Sequence, residues 1–127
     1  MSRLSRILPL LLLMGLAACH SAPGATVWKL ELMTNPTPPI AGASTLFRSL
    51  LITGADAPVD GGAATVLLSL PSRTGPPLRI QLEPRGNGIY EGRATLPAPG
   101  TWTALLTMTR HDHTEIRRFS ISARPPS

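Results

Sequence analysis

The sequence is poor in aromatics, in cysteine and in charge. Aromatic residues make up 4% of its 127 positions: two Trp, one Tyr and two Phe. Cysteine occurs once, at Cys19, which excludes an intrachain disulfide, a Cys-x-x-Cys redox pair and a cysteine-rich metal site. Charged residues are 15% of the chain, against 43% hydrophobic, a balance that argues against a wholly disordered chain. Lys29 is the single lysine. The arginines are spread singly apart from Arg117-Arg118, with no basic stripe interleaved with aromatics, so nucleic acid is not an expected partner. No apolar period of 3.6 residues persists beyond residue 26, which excludes a helical bundle or a coiled coil. The seven carboxylates are scattered, and no serine lies in a nucleophile elbow. Nothing in the chain reads as a reaction centre, and the expectation is a non-enzyme.

What is present begins with a leader. Arg3 and Arg6 precede an apolar run from Ile7 to Leu16, interrupted only by Pro9 and Gly15. The run is too short to span a bilayer comfortably, which takes about 20 residues. A basic head, a short apolar stretch and small residues at its end read as a secretory signal. The end is Leu16-Ala17-Ala18-Cys19, which resembles the bacterial lipobox. That resemblance implies cleavage before Cys19 and acylation of its sulfur, and commonly of its new amine. Two or three acyl chains hold a protein on a membrane, at about 0.8 kcal/mol per buried CH₂. His20 stands where many enterobacterial lipoproteins carry the aspartate that retains them in the inner membrane, which favours the outer membrane. The expected organisation is a signal peptide over 1–18, a lipidated tether over 19–26, one domain over 27–123 and a loose tail over 124–127.

Proline (14) and glycine (11) divide the domain into short runs, the pattern of an all-β sandwich. Strands are expected over 27–33, 45–53, 63–70, 78–83, 89–96, 101–110 and 115–123. In the first, Trp28, Leu30 and Leu32 share a face opposite Lys29 and Glu31. The second breaks alternation at Leu46-Phe47 and Leu50-Leu51-Ile52, which implies burial on both faces or a bulge. Asn87-Gly88 is the strongest hairpin signal, because both residues tolerate positive φ. The core is expected to hold Trp28, Leu30, Val66, Leu68, Tyr90, Trp102, Leu106 and Phe119. For the tryptophans, packing is the simpler reading than a sugar platform. For Tyr90 it is a buried phenol tied to backbone.

A set of turn landmarks runs in order through this domain. It comprises Pro38-Pro39 with Gly42, Pro58-Val59 followed by Gly61 to Ala64, and Leu70-Pro71-Ser72. Further on stand Gly88-Ile89-Tyr90-Glu91-Gly92, then Leu96 with Pro99-Gly100-Thr101-Trp102. Over residues 26–123 the chain resembles the YtkA-like domain, the small sandwich also associated with FixH-type proteins. The resemblance implies an immunoglobulin-like antiparallel β-sandwich of about seven strands. It also implies copper, since relatives carry a Met-Pro-x-Met-x-His run after the third strand. Here those positions are Leu70, Pro71, Ser72, Arg73, Thr74 and Gly75, with no thioether or imidazole and with a cation at Arg73.

The remaining metal candidate is His111-x-His113. On an extended segment two such imidazoles point the same way and could share one ion, with Met33 as a third candidate ligand. The plainer reading is a polar hairpin tip. Two functions follow. The first is a membrane-anchored, periplasm-facing envelope lipoprotein, a binding or accessory module without cofactor, acting on another envelope protein through loops at one end of the sandwich. The alternative is a periplasmic copper-handling accessory protein using His111 and His113.

Overall fold

The computed structural model describes residues 27–127. Its seven strands are β1 (Trp28–Asn35), β2 (Ser44–Thr53), β3 (Ala63–Ser69), β4 (Leu78–Gly86), β5 (Ile89–Thr95), β6 (Gly100–Arg110) and β7 (His113–Ala123). All pairings between strands are antiparallel, and the order across the sheet is β1-β2-β5-β4-β3-β6-β7. The expected all-β sandwich is the fold observed.

Strand β4 makes one sheet into two layers. Its first half, Leu78 to Leu82, pairs with β3. Its second half, from Glu83, pairs with β5, and the register shifts between Pro84 and Gly86. Pro84 has no N–H for a ladder, and a strand that changes partners there needs none. The strand therefore runs through a proline at which the sequence reading ends it. The layers fold over each other so that their free edges, β1 and β7, come close. Ile40 bridges to Arg124, whose N–H donates to the Pro39 carbonyl at 2.9 Å. Arg124 is thus tied down, where the sequence reading places a loose tail.

The core fills the space between the layers. Val66, Leu68, Tyr90, Trp102 and Leu106 are fully buried, Trp28 nearly so, and Leu30 and Phe119 pack against them half-exposed. β2 keeps strict alternation: Thr45, Phe47, Ser49 and Leu51 point inward, and Leu46, Leu50 and Ile52 are half-buried on the outer face. There is no bulge in its pairing with β1 or β5. Two inward positions are hydroxyls, Thr45 Oγ1 and Ser49 Oγ, and neither has a hydrogen-bond partner among the described residues. Each costs desolvation that an apolar neighbour such as Phe47 does not.

The register also sorts the loops. Val27, the loop over 54–62, the Gly86-Asn87-Gly88 hairpin and the His111-Asp112 turn share the end at which the chain enters the domain. The loops over 36–43, 70–77 and 96–99 lie at the far end with the C-terminus. At the entry end the Tyr90 hydroxyl donates to the Val59 carbonyl at 2.8 Å and accepts from the Gly62 N–H at 3.1 Å. This buried phenol is tied to backbone on both sides, as the sequence reading prefers.

Candidate functional site

The two histidines lie at the entry end, but on different backbone. β6 and β7 are joined by a two-residue turn, His111-Asp112, and Arg110 pairs directly with His113. His111 takes a φ of 56°, a left-handed conformation, at the tip. His113 is the first residue of β7 rather than part of the turn. The parallel imidazoles of the sequence reading require an extended segment through all three residues, and the tight turn replaces it.

His113 is committed elsewhere. Its ring stands edge-on to the Trp28 indole, with centroids 4.4 Å apart, and so helps close the gap between the two sheet edges. Its Nε2 lies 2.8 Å from Glu115 Oε2, and Arg117 Nη1 lies 2.6 Å from the other carboxylate oxygen. The three residues alternate along β7, so period two carries their side chains to the same side. That i, i+2, i+4 series of His, Glu and Arg is visible in the sequence as a parity pattern; the sequence reading takes only the neighbouring pair Arg117-Arg118. The pair does split across the strand: Arg117 is half-buried beside Glu115, and Arg118 is exposed on the other side.

The His113 hydrogen bond is the main reason the Glu115 carboxyl is held below its ordinary range; desolvation opposes it, and Arg117 adds a hydrogen bond and charge. A carboxyl lowered in the folded state stabilises the fold at neutral pH, and this contribution disappears as the pH falls through the lowered value. Glu115→Gln should therefore lower stability at pH 7 by about 1 kcal/mol or less, as for a partly exposed pair. The gap between the two proteins should close on acidification below the ordinary carboxylate range. Urea unfolding at a series of pH values checks this; a gap that widens towards acid would contradict the ion-pair account.

Neither methionine of the described residues supplies a third ligand. Met108 is fully buried among core residues. Met33 is exposed five residues along β1 from Trp28, a separation of about 17 Å at strand rise. The loop that holds the ligand run in relatives, here Leu70 to Gly75, is at the far end, where Arg73 donates to the Leu70 and Pro76 carbonyls. Among the described residues no three of His, Cys, Asp and Glu gather as a metal set. The side chains present at either place do not fit a copper centre. The 1–18 leader and the whole 19–26 tether, with Cys19 and His20, lie outside the described residues.

Trp28 and Trp102 face inward, and the Trp102 indole Nε1 donates to the Ala98 carbonyl at 3.0 Å, so neither offers a stacking platform. What the geometry defines is a small β-sandwich module whose open edges meet through the Trp28–His113 ring contact, with the His113-Glu115-Arg117 series running along β7 alone. A profile of the FixH family matches residues 22–118, most of the chain, and the protein belongs to that family. No curated protein matches it. Family membership supports an envelope accessory protein of the FixH type.

Proposed function

We propose that the protein is a lipid-anchored envelope lipoprotein that acts as a non-enzymatic binding module for another envelope protein. The observation that carries this reading is the arrangement of the chain around the family match. The FixH match begins at residue 22, three positions after the lipobox-like Leu16-Ala17-Ala18-Cys19. From Val27 onward the matched region is a sandwich, which the chain enters at one end. Eight residue steps from Cys19 to Val27 reach at most about 28 Å. The lipid then sets position and the short tether sets reach. The entry end, with His111 and Asp112, stands nearest the bilayer, and the sheet faces stand upright beside it.

The test is acylation of the full chain in a bacterial host. The parent protein is expected to incorporate labelled palmitate and to lose its first 18 residues; Cys19→Ser should abolish both. A parent protein that is unlabelled and recovered free of membranes overturns the anchored reading.

A further inference from the structure

We infer that the outer face of the β4-β3-β6-β7 layer is the partner-binding surface, and that its partner is a protein surface bearing carboxylates around an apolar centre. This rests on the binding-module reading above and replaces end loops with a sheet face as the point of contact.

The observation is a charge asymmetry between the two outer faces. On the β1-β2-β5 layer acids stand among the cations: Glu31 and Glu91 share the outer face with Lys29, Arg48 and Arg93, and Glu91 pairs with two arginines. Arg48 Nη2 lies 2.6 Å from Glu91 Oε2, and Arg85 Nε lies 3.5 Å from Glu91 Oε1. Across the other layer the register sets one row of four strands: Arg79, Leu67, Leu105 and Arg118 stand side by side. All four have the parity opposite to the buried Ile80, Val66, Ala104 and Leu106, so all four face outward. Neither arginine makes an ion pair among the described residues. The next row is Gln81, Thr65, Thr107 and Ile116. Ile116 is 58% exposed, one of the few large apolar side chains left so open among the described residues. On the other side of the arginine row, Ser69, Thr103 and Ser120 are aligned.

No carboxylate stands in these rows. Glu83, next on the same side of β4, lies beyond the switch of partners, opposite Glu91 in the other layer. Asp112 is in the turn beyond the strand ends. The face is therefore two unpaired cations, three apolar side chains and a field of hydroxyls that can donate or accept. Three strand spacings put the arginine positions about 14 Å apart. An acidic surface with an apolar ridge between its carboxylates matches this in both sign and spacing.

Size and charge argue for a protein over a bilayer. With 11 residues in β6 the face is about 36 Å long and about 14 Å wide, roughly 500 Å² in projection. That is below the roughly 800 Å² per partner of a standard interface, so the contact is transient and steered by charge. Two arginines attract anionic lipid by only about 2 kcal/mol, too little for a docking site on a membrane surface.

The test places a photo-crosslinking amino acid at Thr107, at the centre of the face, and separately at Ser72, in a far-end loop, in the full chain in cells. Support is a cross-link from Thr107 whose partner peptide, read by mass spectrometry, contains Asp or Glu. Its yield should fall about tenfold in the Arg79→Glu/Arg118→Glu variant and survive in Arg79→Lys/Arg118→Lys. Should the Glu variant fold poorly, the parent carries the test, since its yield should drop comparably in purified envelopes between 0.05 and about 0.5 M salt. Cross-links from Ser72 alone overturn the face but leave the binding-module reading standing. Cross-links to a second copy of this chain overturn the acidic partner. So does arginine-dependent flotation of the purified protein with phosphatidylglycerol vesicles when Thr107 captures no protein. No protein cross-linked from either position overturns the binding-module reading, and this inference with it.

Discussion

Gly88→Ala is expected to destabilise the domain by at least about 3 kcal/mol, far more than an alanine in a tight turn usually costs. Gly88 ends the β4-β5 hairpin at a φ of 75°, between Asn87 at 56° and β5. Backbone strain alone accounts for about 1–2 kcal/mol. The rest is steric. A Cβ at this position would run into the carbonyl oxygen of Leu51 and lie 3.2 Å from Pro58 Cβ. The Leu51 carbonyl cannot move aside, because it accepts the Val59 N–H at 3.0 Å. Gly88 is held from its own side too: its carbonyl accepts the Leu51 N–H at 2.8 Å, and its N–H donates to Asp60 Oδ1 at 2.7 Å. The hairpin, β2 and the loop over 54–62 are thus clamped at one point at the entry end. Gly42→Ala is the control: its φ is 84°, but open space surrounds the added Cβ, so only the strain remains. Urea unfolding of the two variants should separate them by about 1 kcal/mol or more. Equal midpoints would show that the clamp yields and that Gly88 is an ordinary turn glycine.

Much of this architecture is legible because strand period and turn chemistry are local. Asn87-Gly88 marks its hairpin, and the alternation of Leu78, Ile80 and Leu82 places β4 and its inner face. What is illegible depends on who pairs with whom. The bend of β4 through Pro84 reads locally as a stop, and only the change of partner strand shows why a proline is tolerated there. The outward leucines of β2 look like a break in period; the pairing with β1 and β5 shows an unbroken strand that is half-covered outside. A turn is legible at His111-Asp112-His113, but its length is not: the direct pairing of Arg110 with His113 leaves two residues for the turn and makes His113 part of β7. The arginine row is the sharpest case. Each of its four residues is readable as outward-facing, but Arg79 and Arg118 are 39 positions apart in sequence. Strand order, β4-β3-β6-β7, sets them in one line.

Replacing Trp102 with alanine is expected to remove about 3–5 kcal/mol, a large part of the roughly 5–15 kcal/mol that stabilises a domain of this kind. In a chain with so few aromatics, the indole supplies core volume that no neighbour can replace. Trp102 is the largest side chain that is fully buried, and it faces the core from β6, with the small Ala104 next on the same side. It is paired across the strand with Ile121 of β7, so the cavity would open beneath an edge strand. The loss has a polar part as well. The indole N–H is the donor to Ala98 at the far end, and alanine leaves that carbonyl with one partner fewer. Trp102→Phe separates the two: it keeps most of the ring and loses the hydrogen bond, and should cost about 1–3 kcal/mol. Unfolding followed by far-ultraviolet circular dichroism should rank parent, Phe variant and Ala variant in that order. If Trp102→Ala cost no more than Trp102→Phe, the neighbouring side chains would be closing over the gap, and the packing between the layers would be looser than full burial of this side chain implies.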